Sequence, residues 1–467
     1  MEKRVYRHNG PFALECGDVL EEMEICYHIS REYTAEKSAE KKVVWITHAL
    51  TANSDPTDWW DVLVGEGKFF DPRKYTIVCA NILGSCYGST SPCSINPATG
   101  KPYLLNFPKT TVRDIAQCHN LLLEHLGLEK VDLLIGGSVG GFQALEWSIM
   151  YPQAIKNLVL LACNSRFTPW GSAFNESMRM ALYADPTFEQ GLGGKAGLAA
   201  ARSIALISYR SFEGYNTTQF ESDEDCLFPQ RAASYQRYQG KKLVDRFDAY
   251  SYLSMLNLTD SHNVGRKRGG VVKALGMVKA NTVCIGIDSD GLFPVEEQKF
   301  MAEHIPGARY REITSAFGHD GFLLENDHLG QTLLLEGGSE KHEVFPDCVF
   351  PQLPYLVKSY SLGADIQMLR CFLPREFARN FRQLPVVCRY GGYLSVNTDD
   401  NPFPVGIHSL SDYILNLLPR DQYFNDAYRV WSDLIPLIYI GDALGSQIEF
   451  AARRDVGFEE HIMIFVA

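Results

Sequence analysis

The stretch LLIGGSVGGFQALEW, residues 133–147, is the most informative part of this 467-residue chain for its architecture. It places four glycines around one serine, Ser138, between the apolar run VDLLIG and the helix-like run GFQALEWSIM. A strand that ends in a tight turn and continues as a helix presents the serine hydroxyl at the top of a sheet, an arrangement called a nucleophile elbow. Gly136 and Gly140 stand where a Cβ atom would clash in so tight a turn. The alternative is that the glycines serve only helix packing.

Apolar runs elsewhere in the chain alternate with helical segments. The segments GDVLEEMEICYHI and KKVVWITHAL indicate an antiparallel hairpin that leads into a buried strand. Further apolar runs cover residues 75–83, 131–136, 155–163 and 281–287. Because strands that alternate with helices are typical of a mostly parallel, doubly wound sheet, the sequence predicts the α/β class and, with the serine turn, an α/β-hydrolase fold.

The rhythm of strands and helices divides the chain into four segments. Residues 1–165 and 279–335 form the two parts of the predicted sheet domain. Residues 166–278 contain helical pieces without apolar strands between them, and we expect them to lie as a lid over the strand ends, where such sheets bind ligands. The C-terminal extension, 336–467, follows no such rhythm and stays unassigned: an appended domain, a weakly ordered extension and non-native coding text all fit it.

Composition and charge exclude several classes of protein. The net charge of −12 argues against a nucleic-acid surface, and no apolar run approaches the roughly 18 residues that a membrane span needs. The start MEKRVYRHNGPF lacks a secretory signal pattern, so we expect a cytoplasmic protein. Twelve cysteines without C-x-x-C pairs are interpreted as buried free thiols. The sequence contains no metal-ligand spacing and no dinucleotide fingerprint, so no metal and no bound cofactor is expected.

A serine nucleophile needs a histidine base and a carboxylate that orients it, and in α/β hydrolases these follow in the order serine, acid, histidine. CIGIDSDGLFP ends an apolar strand in carboxylates, and AFGHDGF places a histidine in a glycine-flanked loop after the next strand. We therefore predict Ser138, Asp290 and His319 as the catalytic residues. Asp288 is the alternative acid, and His319 as a loop histidine without a role stays open.

The other histidines near strands or helices are interpreted as structural. His304 and His328 lie in amphipathic stretches.

The oxyanion of an acyl-transfer intermediate needs two N–H donors, and the predicted donors are the backbone amides of Val139, after the nucleophile, and Leu50, in the loop THALTANSD. His48 begins that loop and is expected to have a structural role rather than to act as a base.

These residues by themselves suit an esterase, a peptidase or an acyltransferase equally well. The motifs HALTANS, NILGSCYGSTSPCSINPATGKPY, FPKTTVRDI, GGSVGGFQALEW, ARSIALISYRS, IGIDSDGLFP and GHDGF, which span about residues 40–325 in this order, narrow the choice. Together they resemble the homoserine O-acetyltransferase family of methionine biosynthesis.

This resemblance implies a ping-pong reaction with two small-molecule substrates. Ser138 would take the acetyl group from acetyl-CoA and pass it to the side-chain hydroxyl of L-homoserine, with His319 serving both halves. By the same resemblance Arg202 would bind the homoserine carboxylate with Tyr209 beside it, and Asp320 would bind the ammonium group. Arg202 and Tyr209 are seven residues apart, which places them on one helix face; a salt bridge to a lid acid is the alternative role of Arg202. The family further implies a homodimer formed through the lid helices.

Three positions depart from the family pattern: Ala52 replaces a glycine, Gly291 replaces a tryptophan, and Val139 replaces a methionine or leucine. Val139 acts through its backbone, so its change has little effect. Gly291 alters a pocket wall, so the identity of the acyl chain that is transferred stays open. Succinyl-CoA as donor, serine as acceptor, water as acceptor in an esterase, and a catalytically silent binding module are the alternative readings.

Overall fold

The computed structural model describes residues 1–31, 33–34 and 41–337, together with 394–395, 404–405, 448–451 and 463–466. The chain divides into two compact units, Met1–Val349 and Phe350–Ala467. In the second unit, the described residues form two antiparallel ribbons, which pair Leu394–Ser395 with Pro404–Val405 and Ile448–Ala451 with Met463–Val466. Apart from these ribbons and residues 336–337, the predicted C-terminal extension lies outside the described residues.

Eight strands form the central sheet of the first unit. In chain order they are β1 (Glu2–Arg7), β2 (Glu24–Ile29), β3 (Val43–Thr47), β4 (Thr76–Ala80), β5 (Leu133–Gly137), β6 (Asn157–Leu161), β7 (Asn281–Ile287) and β8 (Arg309–Ile313). Their spatial order is β1-β2-β4-β3-β5-β6-β7-β8. The pairs β1–β2 and β2–β4 are antiparallel and the remaining neighbours are parallel. The predicted mostly parallel sheet is therefore confirmed.

Helices connect the strands and cover the sheet. They are α1 (Pro56–Trp59), α2 (Val112–His125), α3 (Val139–Met150), α4 (Pro169–Tyr183), α5 (Pro186–Glu189), α6 (Lys195–Tyr209), α7 (Phe212–Gln219), α8 (Arg231–Val244), α9 (Ala249–Asp260), α10 (Val271–Leu275), α11 (Val295–His304), α12 (Gly321–Leu324) and α13 (Asn326–Gly337). Short 3₁₀ helices cover Leu104–Asn106 and Gly318–Asp320, and two small ribbons pair Phe12–Ala13 with Val19–Leu20 and Ile95–Asn96 with Lys101–Pro102.

The sheet has an apolar core on each face because successive side chains of a strand point to opposite sides. In β3, Trp45 packs into one core, with Phe142 and Trp147 of α3. Its neighbours Val44 and Ile46 belong to the other core. Because both faces of the sheet are covered, β3, β5 and β6 are buried along their whole length and are mainly apolar, without an alternation of apolar and polar residues.

The segment 166–278, which the structure describes throughout, contains helices α4 to α10 and no strand of the sheet. It is inserted between β6 and β7, so the helices connect two neighbouring strands whose carboxyl ends lie at the same edge. The sequence predicts that the sheet domain ends at residue 335. In the structure α13 continues past this position to Gly337. Among the described residues, no helix combines the length and apolar character that crossing a bilayer requires.

Candidate active site

Ser138 lies in a strained turn between β5 and α3. Its backbone has φ 57° and ψ −125°, a region that a residue with a side chain seldom occupies and that costs of order 1–3 kcal/mol. The flanking glycines permit the turn: a Cβ on Gly136 would lie 2.1 Å from Thr47 Oγ1, and one on Gly140 would lie 2.1 Å from the Thr47 carbonyl oxygen. The glycines thus allow both the strain at Ser138 and the close packing of α3 against β3.

Three side chains from distant parts of the chain meet at Ser138. The His319 Nε2 atom lies 2.8 Å from Ser138 Oγ, and His319 Nδ1 lies 2.7 Å from Asp290 Oδ2. The other carboxylate oxygen of Asp290 accepts the backbone N–H groups of Leu292 and Phe293, at 2.8 and 2.9 Å. The structure therefore brings together the three residues predicted as nucleophile, acid and base.

The environment of His319 favours a strong base. Burial by itself lowers the pKa of the imidazole, but the nearby carboxylates of Asp290 and Asp320 outweigh it and raise the pKa of His319 above its ordinary value. Because the Asp290 carboxylate accepts from Nδ1, the neutral ring carries its proton there and leaves Nε2 free to accept the Ser138 proton. The rings of Phe293 and Phe322 stand edge-on to the imidazole, with centroids 5.1 and 5.4 Å away.

The alternative acid and bases lie away from this contact. Asp288 Oδ1 accepts the Ser315 N–H at 2.9 Å and so anchors the loop that carries His319. His304 Nδ1 lies 2.8 Å from the Phe300 carbonyl oxygen on its own helix. His328 is exposed and stands 3.8 Å from Glu325.

The two predicted oxyanion donors are the backbone N–H groups of Leu50 and Val139. Within the part of the chain that the structure describes, neither the Leu50 N–H nor the Val139 N–H donates to a protein acceptor. The loop after β3 lies against the start of α3, because Thr47 Oγ1 donates to the Gly140 carbonyl oxygen at 2.8 Å. His48, at the start of this loop, is fully buried and bonds backbone groups only.

The helix α6 places its predicted residues above the histidine. The guanidinium carbon of Arg202 lies 5.6 Å from the centre of the Tyr209 ring, and this ring lies 5.8 Å from the His319 ring. Desolvation of the phenol raises the pKa of Tyr209 to about 12, so it stays a hydrogen-bond donor at neutral pH. Asp320 is 3.2 Å from Arg210, a partner that the sequence reading did not identify although it lies in the quoted motif SYRS.

The end of α6 also supports the histidine loop, residues 314–320, which follows β8 and carries His319. A Cβ on Gly318, which has φ +67°, would lie 2.5 Å from the Ser211 backbone nitrogen. The Ser211 hydroxyl donates to the Ala316 carbonyl oxygen. Ser289, in the acid loop (residues 288–294, which follow β7 and include Asp290), donates to the Ser315 carbonyl oxygen. These serines join the turn between α6 and α7, the acid loop and the histidine loop. A serine in a loop has no spacing that distinguishes it, which is why the sequence did not reveal them.

Among the described residues, no group of three or more histidine, cysteine, aspartate or glutamate side chains is placed to hold a metal ion. The nine cysteines in this part of the chain are free thiols, and Cys16 and Cys93 are exposed rather than buried as predicted for the set.

The strand order and the serine turn define an α/β hydrolase, and a sequence model of the alpha/beta hydrolase fold family matches residues 42–326. The chain is 43% identical over 333 residues to a homoserine O-acetyltransferase of Cyclobacterium marinum, covering 70% of this chain and 93% of that relative. The chain belongs to the homoserine O-acetyltransferase family, which confirms the resemblance of its motifs.

Solved structures agree with this fold. The crystal structure of homoserine O-acetyltransferase from Staphylococcus aureus is 29% identical, with a TM-score of 0.60, and the match covers 73% of this chain and 98% of that one. The structure of the acetyl esterase MekB is 26% identical, with a TM-score of 0.60, and the match covers 72% of this chain and 94% of that one. The same fold is thus shared by a protein named a homoserine O-acetyltransferase and a protein named an acetyl esterase.

Proposed function

We propose that this chain transfers an acetyl group from acetyl-CoA to the side-chain hydroxyl of L-homoserine through an acetyl-Ser138 intermediate. The observation that carries the proposal is the hydrogen-bonded series Asp290–His319–Ser138 in a chain whose relative at 43% identity is named a homoserine O-acetyltransferase. The hydrogen-bonded series supports acyl transfer through a serine, and the name of the relative is the basis for the proposed substrates.

In the first half of the reaction, Ser138 Oγ attacks the thioester carbonyl carbon while His319 Nε2 takes the hydroxyl proton. The negative charge that develops on the carbonyl oxygen is bound by the Leu50 and Val139 N–H groups, which have no acceptor among the described residues. When the carbon–sulfur bond breaks, His319 returns the proton to the thiolate. Free CoA leaves and the acetyl group stays on Ser138.

In the second half, the homoserine hydroxyl replaces CoA. His319 takes its proton, the hydroxyl oxygen attacks the acetyl carbon, and Ser138 leaves with the proton from His319. Asp290 holds the imidazole in the same tautomer throughout and stabilises the imidazolium that forms twice in each turnover. One base therefore serves both acyl transfers.

The acceptor is held by charges on α6 and on the histidine loop. Arg202 is proposed to bind the homoserine carboxylate, with Tyr209 beside it, and Asp320 is proposed to bind the ammonium group. Arg210 lies 3.2 Å from Asp320, so the substrate ammonium shares this carboxylate with a resident cation. Desolvation raises the pKa of Asp320, whereas Arg210, His319 and Arg202 oppose that rise and favour the charged carboxylate that an ammonium group needs.

The second candidate function is acetyl-ester hydrolysis, because the acetyl esterase MekB has the same fold. In that reaction water attacks the acetyl-serine and no acceptor cation is required. The Arg202 guanidinium, whose carbon lies 5.6 Å from the centre of the Tyr209 ring beside His319, supports an acceptor that carries a carboxylate, and so favours transfer.

The protein is further proposed to act in the cytoplasm as a homodimer. The described lid leaves large apolar side chains exposed, namely Leu192, Phe212, Leu227 and Phe228, with 71 to 87% of their surface accessible. Side chains of this kind suit a subunit interface. Light scattering on the full chain would measure the mass of the particle.

The test of function follows thiol release from acetyl-CoA with and without L-homoserine. We expect slow release alone and rapid, saturable release with homoserine, together with O-acetylhomoserine as product. Succinyl-CoA and L-serine in place of the two substrates determine the donor and the acceptor. Release at the same rate without homoserine would contradict transfer and support hydrolysis.

A further inference from the structure

His48 is a fully buried histidine beside one of the proposed oxyanion donors, and it bonds only to backbone groups. Its Nε2 atom accepts the Ile82 N–H at 3.1 Å, and its Nδ1 atom lies 2.8 Å from the Ala49 carbonyl oxygen. An amide N–H only donates and a carbonyl oxygen only accepts, so the ring carries its proton on Nδ1. Burial lowers the pKa of His48 to about 4, which keeps the ring neutral at physiological pH.

The Ala49 carbonyl belongs to the same peptide group as the Leu50 N–H. In a planar trans peptide these two groups point in opposite directions, so holding the carbonyl also aims the N–H. The carbonyl oxygen receives two donors, His48 Nδ1–H and the Ala52 N–H at 3.1 Å. The Leu50 N–H, on the opposite side, has no acceptor among the residues that the structure describes.

The neighbouring peptide is tied to the helix that follows the nucleophile. The Gln143 Nε2 group donates to the His48 carbonyl oxygen at 3.0 Å and lies 3.2 Å from the Val139 carbonyl oxygen. Gln143 is fully buried, and its Oε1 atom lies 3.0 Å from His119 Nε2. The same side chain thus connects the loop that carries Leu50 with the first turn of α3, which carries Val139.

We propose that His48 is a positioning residue for acyl transfer: its Nδ1–H holds the Ala49 carbonyl and thereby directs the Leu50 N–H toward the oxyanion. The inference rests on the proposed function, because the oxyanion forms only if Ser138 attacks an acyl carbon. His48 does not touch the substrate and acts through the Ala49–Leu50 peptide.

Two variants separate this role from a merely structural one. In His48→Asn, the amide nitrogen is as many bonds from Cβ as Nδ1 is, so it can still donate to Ala49. In His48→Gln, the amide oxygen is as many bonds from Cβ as Nε2 is, so it can still accept from Ile82 but the Ala49 donor is lost. Each variant removes the ring and one hydrogen bond, so we expect similar losses of stability, measured as urea midpoints.

The decisive readout is the single-turnover rate of thiol release from acetyl-CoA, with KM measured alongside. We expect His48→Asn to keep the rate within about 3-fold and His48→Gln to lose about 10- to 100-fold, with KM changed little, because an oxyanion donor acts in the transition state. The loss stays below that of a deleted donor because Ala52 still holds the carbonyl. Equal rates in both variants, or rates that follow the urea midpoints, would overturn the proposal.

A second measurement needs no variant. In histidine-selective ¹⁵N spectra of the full chain at pH 5.5, where the raised pKa of His319 favours its charged ring, we expect a signal from a neutral imidazole protonated on Nδ1, because burial keeps His48 neutral and its two backbone partners fix that tautomer. Its absence would overturn the assignment. If the wild-type protein releases no thiol from acetyl-CoA, the proposed function itself has failed, which is a different result from an active wild type with two equal variants.

Discussion

His319 Nε2 and Ser138 Oγ lie 2.8 Å apart although 181 positions of the chain separate them. The contact is possible because β5 and β8 end at the same edge of one mostly parallel sheet, with β6 and β7 between them. The acid loop after β7 lies between these two elements in the chain and supplies Asp290. The parallel sheet is therefore what assembles the three side chains.

Replacing the acid tests the orientation of the base. Asp290→Asn leaves the size of the side chain unchanged but favours the wrong imidazole tautomer, so we expect the rate of acyl transfer to fall about 10⁴-fold. Asp288→Asn is the matched control, because Asp288 bonds the Ser315 N–H and not His319, and an amide oxygen can still accept that bond. Equal losses of rate in the two variants would contradict the assignment of Asp290 as the acid.

The pH dependence of thiol release reports the pKa of His319. Neutral His319 is the base, so the rate rises as the pH increases through its pKa, and we expect this limb above pH 6.5, the ordinary value. Because the Asp320 carboxylate contributes to the raised pKa, Asp320→Asn should move the limb to lower pH. The measurement uses acetyl-CoA without homoserine, which removes any effect on acceptor binding. An unmoved limb in Asp320→Asn would contradict the electrostatic account.

The proposed carboxylate partner is tested by Arg202→Gln. Loss of a charged hydrogen bond costs about 1.5–3 kcal/mol, so we expect kcat/KM for homoserine to fall roughly 10- to 150-fold while thiol release from acetyl-CoA alone is unchanged. Arg237→Gln is the control: Arg237 is an exposed arginine of α8 that bonds Gln230. A loss in both half-reactions would indicate that Arg202 serves the lid rather than the acceptor.

The close approach of α3 to β3 predicts a stability effect. A Cβ at Gly140 would meet the Thr47 carbonyl oxygen at 2.1 Å, so Gly140→Ala should lower the free energy of unfolding by about 1–3 kcal/mol or more. Gly291→Ala is the control, because a Cβ there meets nothing within 4 Å, and we expect a change within about 0.5 kcal/mol. Urea unfolding measures both, and equal midpoints would show that the contact is relieved without cost.

Much of the fold was predictable because buried parallel strands are continuous apolar runs. The run NTVCIGI, 281–287, corresponds to β7, whereas YTIVCANIL, 75–83, extends past the end of β4 at Ala80. The next residue, Asn81, bonds Ser54 through its side chain, an interaction that depends on a loop far away in the chain. Strand ends are set by such tertiary contacts, which a local pattern does not contain.

The site was predictable where a motif fixes the backbone, as at Ser138, or where chain order restricts the choice, as at Asp290 and His319. Arg210, Ser211 and Ser289 were not found, because the roles of Arg210 and Ser211 arise from packing of the end of α6 against the histidine loop, and that of Ser289 from packing of the acid loop against it. The acceptor residues Arg202, Tyr209 and Asp320 came from the family resemblance and stay predictions as to role. The segment limits around the lid and the extension likewise stay predictions.

The most direct test of the central claim is the intact mass of the protein after brief exposure to acetyl-CoA, with peptide mapping of the adduct. We predict a gain of one acetyl group on Ser138 that disappears when L-homoserine is added and yields O-acetylhomoserine, and no adduct in Ser138→Ala. An acetyl group elsewhere, or product formation at the wild-type rate by Ser138→Ala, would contradict an acyl transfer through Ser138.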